Sequence, residues 1–103
     1  MMASTGKRSI HATSQFRKDL KRAASHRKCN LAELKAVMQA IETRTPLEAH
    51  HLDHALVGRY PDQKGGHTDC RECHTSNDWL LVYRLPDDNN VHFIRCGTHS
   101  DLF

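Results

Sequence analysis

No run in this 103-residue sequence approaches the roughly 20 consecutive apolar residues needed to span a bilayer. The opening MMASTGKRSIHATS lacks the apolar segment of a secretory signal. The expectation is therefore a cytoplasmic protein. No repeat and no low-complexity tract is present. Four cysteines occur, Cys29, Cys70, Cys73 and Cys96, and without an export signal reduced thiols are expected. Cys70-Arg71-Glu72-Cys73 is a CxxC flanked by His67 and His74, but a structural zinc site normally takes two such pairs. The second pair is missing, since Cys29 and Cys96 stand alone. A non-catalytic module that holds zinc or binds nucleic acid through His67, Cys70, Cys73 and His74 stays open as an alternative; otherwise no metal is expected.

What is present suits one small domain over residues 1–103, with a single compact core under a strongly polar surface. The apolar fraction is 38% and the mean hydropathy −0.69. Net charge is only +3, but it is lopsided. Residues 1–44 hold ten Lys and Arg against Asp19, Glu33 and Glu42, a surplus of seven; residues 45–103 hold five against nine. A basic half of this kind suits a polyanion or an acidic partner protein, although solvated helical faces would show the same bias.

Lys7–Thr13 is weakly marked as a first strand. Ser14 reads as the N-cap of a helix to about Arg27, with Phe16, Leu20, Ala23 and Ala24 on one face. Arg17, Lys18, Lys21, Arg22 and Lys28 lie on the other. Asn30-Leu31-Ala32-Glu33 resembles a capping box opening a second helix through Leu34, Met38 and Ile41, ending before Pro46. Glu48–His54 is too polar for a long regular element, and PDQKGG (61–66) is a loop. His67–His74 alternates as a strand does. Asp78–Leu85 is nearly continuous apolar, as in a central strand covered on both faces. Pro86–Asn90 makes a hairpin loop and Val91–Cys96 returns. The expected class is α+β, in the order β-α-α-β-β-β, with an αα-hairpin on one face of an antiparallel sheet.

Nine histidines are present. His11, His26, His50, His51, His67 and His92 are scattered and read as ordinary surface or half-buried imidazoles. His74 is better placed, ending one strand with Asp78 four residues on. His99 lies just past Arg95, and Asp53-His54 precedes the sheet. Cutting RNA without a metal means taking a proton from the ribose 2′-OH and giving one to the departing 5′-oxygen. Histidine suits both transfers. A guanidinium suits the extra phosphorane charge, and a ring such as Phe103 can hold a splayed base. A histidine-rich sheet edge with no chemistry fits the spacing as well.

Four stretches, Asp53-His54-Ala55-Leu56-Val57-Gly58, Arg71-Glu72-Cys73-His74, Asp78-Trp79-Leu80-Leu81-Val82-Tyr83 and Arg95-Cys96-Gly97-Thr98-His99-Ser100-Asp101-Leu102-Phe103, together resemble the YafQ-like branch of the RelE/ParE toxin superfamily. The likeness extends over most of the chain. It implies a RelE-like fold and a bacterial type II toxin that cuts mRNA at the ribosome, without metal or cofactor, silenced by an antitoxin. His54, His74, Asp78, Arg95 and His99 match the family's catalytic positions. By that resemblance His99 is the general acid, Asp78 with His74 or His54 activates the 2′-OH, and Arg95 clamps phosphate. Trp79, Arg71 and Phe103 fall to substrate binding, with Phe103 as the base stacker. Arg17, Lys18, Lys21 and Arg22 would meet the antitoxin or the RNA backbone. A gyrase-inhibiting ParE-type toxin of the same fold is the rival. Residues 61–68 look like an insertion beside the site.

Overall fold

Thr13, not Ser14, turns the first strand into the first helix. In the computed structural model, which describes residues 6–61, 65–76 and 78–103, strand β1 is Ser9–Ala12 and helix α1 is Ser14–Ala23. Thr13 is still extended, and its N–H bonds the Phe93 carbonyl at 3.1 Å. Its hydroxyl donates to the Ile94 carbonyl at 2.7 Å and accepts from the Phe16 N–H at 2.9 Å. One residue thus ends the strand pairing and caps the helix. The helix stops at Ala23, short of Arg27, where 24–29 form turns and His26 Nδ1 accepts the Lys28 N–H. Helix α2, Leu31–Glu42, begins as expected, with Asn30 Oδ1 accepting the Glu33 N–H at 3.0 Å. It ends in a left-handed Arg44 (φ 66°), with the Thr45 N–H reaching back to Ala40.

A single turn of 3₁₀-helix, Ala49–His51, follows, and then strands β2 (His54–Ala55), β3 (Cys70–Ser76), β4 (Trp79–Asp87) and β5 (Asn90–Gly97). They form one sheet in the order β1-β5-β4-β3-β2. Pairings among β2 to β5 are antiparallel, as expected, whereas β1 runs parallel to β5. The expected strand at His67–His74 begins later, and residues 62–64 of the 61–68 insertion lie outside those described. A short helix that the sequence reading lacked, α3, covers His99–Leu102.

Both long helices cover one face of the sheet. Phe16, Ala23, Leu34, Val37 and Ile41 meet Cys73, Trp79, Leu81, Tyr83, Val91, Phe93 and Cys96 there. On the other face Cys70, Leu80, Val82 and Ile94 are buried under Tyr60 and Leu102. Strand β4 is thus enclosed on both sides, which explains its unbroken apolar run.

One irregularity matters for function. Val82 pairs with Arg95 but Tyr83 pairs with Phe93, so Ile94 is an extra residue in β5. Strict alternation would place Arg95 on Phe93's side, under the helices. The bulge resets the alternation, so that Arg95 shares the face of Val82 and Cys96 returns to the helix side.

Candidate active site

Strand β1 covers only the first half of β5's edge. Beyond it α1 takes over, and Asp19 does there what a strand would have done. Asp19 is 2% exposed and accepts the Cys96 N–H at 3.2 Å. The same carboxylate receives Arg95 side-on, Nε at 2.9 Å and Nη2 at 3.0 Å. Gln15 donates to it at 3.1 Å, and Arg22 Nη2 lies 3.8 Å away. Hydrogen bonding to Asp19 raises the Arg95 pKa against the opposing effect of burial, so the fork is a fixed cation. Nη1 lies outside the pair. Sequence reasoning missed Asp19, although it sits among Phe16, Leu20 and Ala23 on the apolar stripe of an otherwise basic helix.

The tail after β5 is shaped by a capping box. The Thr98 hydroxyl accepts the Asp101 N–H, and Asp101 Oδ2 accepts the Thr98 N–H at 3.0 Å. The Thr98 N–H holds the Asp101 carboxyl below its usual range. The turn puts His99 and Phe103 on one side, ring centroids 5.2 Å apart. Phe103 is 54% exposed and meets Tyr60 edge-on at 5.5 Å. Tyr60 donates its hydroxyl to the Leu102 carbonyl at 3.2 Å, and burial pushes its pKa up. Arg22 Nη2 approaches Asp101 to 3.5 Å. This arginine, expected to face a partner, is exposed and also ties α1 to the tail. Arg17, Lys18 and Lys21 face solvent too.

Asp78 precedes β4 and reaches the same tail. Its Oδ1 accepts the His99 N–H at 3.4 Å, and Lys28 Nζ lies 3.5 Å from Oδ2. Among the described residues no hydrogen bond or ion pair joins Asp78 to His74, the pairing that the turn between β3 and β4 suggested. His74 shares its face of β3 with Glu72 and lies opposite Leu80. Next to it, on β2, His54 pairs with Glu72. His54 Nδ1 bonds the Leu52 carbonyl at 2.7 Å. A carbonyl only accepts, so Nδ1 carries a proton and Nε2 is the nitrogen on the Glu72 side. That nitrogen is 3.4 Å from Glu72 Oε1. Glu72 is 7% exposed, a second acidic residue the sequence reading passed over; its period-two spacing with His74 was the available signal.

Two expected substrate contacts lie on the helix side of the sheet, away from Arg95. Trp79 is fully buried in the helix-side core, its ring 5.0 Å from that of His26, so no base can stack on it. Arg71 pairs opposite Tyr83 on the helix side, away from Arg95. Its Nη2 holds Asp53 at 2.8 Å, and the Tyr83 hydroxyl donates to the same carboxylate. The trio braces the turn into His54. The CxxC alternative also fails on geometry. In a strand, residues three apart point to opposite faces; Cys70 belongs to one core cluster and Cys73 to the other. Burial pushes the Cys73 thiol up to about 12, far from a ready thiolate ligand.

The five-stranded α+β fold, with Arg95, His54, His74 and Phe103 toward one face of the sheet, is that of the RelE-like toxin class, as its likeness to solved toxin structures shows. The model of the YafQ family, bacterial toxins of type II toxin–antitoxin systems, matches residues 8–103, and the chain belongs to that family. It is 37% identical over 97 residues to the mRNA interferase toxin YafQ of Escherichia coli, spanning 93% of this chain and 96% of that one. The E. coli toxin in the crystal structure of the DinJ–YafQ toxin–antitoxin complex superimposes with a TM-score of 0.78 at 35% identity, over 94% of this chain and 98% of that one. The YoeB dimer of Staphylococcus aureus, at 20% identity and a TM-score of 0.66 over 91% of this chain and 99% of that one, shares the fold.

Proposed function

We propose that this protein is an mRNA interferase that cuts RNA by attack of a ribose 2′-oxygen on the neighbouring phosphate, and that an antitoxin partner restrains it. The bulge that turns Arg95 onto the face of His54 and His74 is the observation that carries this reading. Phe103 holds a splayed base, placing a phosphate beside the Arg95 fork. His54 Nε2, backed by Glu72, takes the proton of the 2′-OH. The oxygen attacks phosphorus and Arg95 meets the added negative charge. As the bond to the 5′-oxygen breaks, His99 supplies its proton, leaving a cyclic phosphate and a free 5′-hydroxyl. Asp78 holds the His99 backbone, and His74 lines the same face. The message is presented in the ribosomal A site, the reaction needs no metal, and the setting is the cytoplasm.

The test is cleavage in a translating extract by single variants. General acid–base catalysis is typically worth about 10²–10⁴-fold, so His99→Ala loses that much. Phe103→Ala removes a stacking contact of about 1–3 kcal/mol and slows cleavage roughly 5- to 150-fold. His92→Ala, whose ring packs on His11, is the control and cuts normally. All three melt near wild type. If melting instead falls in step with activity, the tail is packing and not chemistry.

A further inference from the structure

Two histidines that looked ordinary in the sequence adjoin a carboxylate behind the strand carrying His74. We propose that Glu33, His50 and His51 bind one divalent transition-metal ion, zinc foremost, which clasps α2 and the 3₁₀ turn to β3. One ligand atom from each of the three residues lies within 4.8 Å of the others. His51 is 6% exposed, and its Nδ1 bonds the His74 carbonyl at 2.6 Å. That carbonyl can only accept, so Nδ1 carries a proton and Nε2 is the nitrogen left to meet an ion in place of any proton it shares with Glu33. Nε2 lies 3.6 Å from Glu33 Oε1. A ring nitrogen bonded to a backbone carbonyl, with the other nitrogen left to the ion, is the arrangement that holds metal-binding histidines in place.

The remaining ligands are beside it. The His50 and His51 rings are 4.1 Å apart, and Glu48 Oε2 stands 3.4 Å from His50 Nδ1. Bonds of about 2.0–2.1 Å in a tetrahedron put ligand atoms about 3.3 Å apart. The His51–Glu33 edge is already close to that. The wider edges close by rotation of His50 and Glu33, whose side chains are 64% and 40% exposed, around a fixed His51. Two imidazoles and a carboxylate, with a fourth position open to water, are a zinc donor set; copper(II) and nickel(II) also suit it, and calcium and magnesium do not. The ion takes no part in cleavage. It steadies the backbone beneath His74 by linking α2 to the 3₁₀ turn, whose His51 in turn holds β3 through the His74 carbonyl.

The experiment titrates zinc into the full chain, prepared without a polyhistidine tag, and follows heat and melting temperature. One equivalent binds, and free zinc at about 100 times Kd raises Tm by roughly 10 °C or more. Because His51 is buried, the exposed ligands carry the test: Glu33→Gln and His50→Ala each weaken binding at least tenfold. His11→Ala, which opens the separate His11–His92 contact, changes nothing. The proposal is overturned by no uptake at micromolar zinc, by failure of either variant to weaken binding, or by loss of binding in His54→Ala or His99→Ala, which would put the ion on the other face of the sheet.

Discussion

Asp19→Asn separates a positioning role from a merely structural one. The carboxylate takes two bonds from Arg95, one from the Cys96 N–H and one from Gln15. Removing one partner of a buried pair costs about 3–5 kcal/mol, but the Arg95 side chain keeps 24% exposure, so water screens part of that. Asp19→Ala also orphans a buried N–H, worth about 1–3 kcal/mol. The expected total is about 3 kcal/mol, or roughly 10–20 °C in Tm for a domain of this size. Asp19→Asn is close in shape and keeps an acceptor, so it melts only about 1–2 kcal/mol less stably. Its guanidinium, however, is no longer held at both nitrogens. Misplacing a reacting group by about 1 Å can cost 10²-fold, so cleavage falls roughly 10- to 100-fold when measured well below both melting points. Arg95→Lys, which cannot make the paired bonds, loses about as much, and the double variant loses little more. A variant that melts lower yet cuts at the wild-type rate would refute the view that Asp19 aims Arg95.

Three further outcomes follow from the same geometry. Asp101 is held below the ordinary carboxylate value of about 4 by the Thr98 backbone, so its contribution is full above that value and lost as pH falls through the depressed one; the melting gap between wild type and Asp101→Asn therefore narrows in acid, and a gap that stays constant to the lowest pH contradicts the cap. Trp79→Phe keeps cleavage within a few-fold while Trp79→Ala costs about 3–5 kcal/mol of stability; a rise in KM at unchanged melting would return Trp79 to the substrate. Reversing Arg17, Lys18 and Lys21 to Glu weakens the antitoxin complex with melting unchanged, and an unaltered Kd counts against that surface.

The parts of this fold governed by local chemistry were readable in advance. Asn30 caps α2 through its own side chain, and Leu80, Leu81 and Val82 announce a strand enclosed on both faces. What depends on partners distant in sequence was not. Thr13 outcompetes Ser14 as the cap because Ile94, 81 residues away, fixes its hydroxyl. The direction of β1 depends on β5. Side-chain facing was the hardest. Arg71 and Arg95 look equivalent in the sequence, yet strand alternation sends the first to the helix side and one extra residue brings the second back. The resemblance put Trp79 in the site as the neighbour of Asp78; Asp78 stays in the turn, whereas Trp79 opens β4 and is buried on the helix side. Asp19 reads as one acid among basic residues, although its place on the apolar stripe of α1 is what buries it.

The parallel pairing of β1 with β5 ties the order of synthesis to the completion of the sheet. Ser9 meets Asn90 and Ala12 meets Phe93, so the first strand made has no partner until the last strand has emerged. Until then Phe16, Leu34 and Val37 have no Phe93 or Val91 to pack on, and Asp19 awaits Arg95, 76 residues later. Contacts of such separation form slowly. For that interval a growing chain lacks both the β1–β5 pairing and the Asp19–Arg95 pair, which are completed only once β5 has been made. Moving β1 to follow β5 by circular permutation would make these contacts local, hastening folding and shortening that interval.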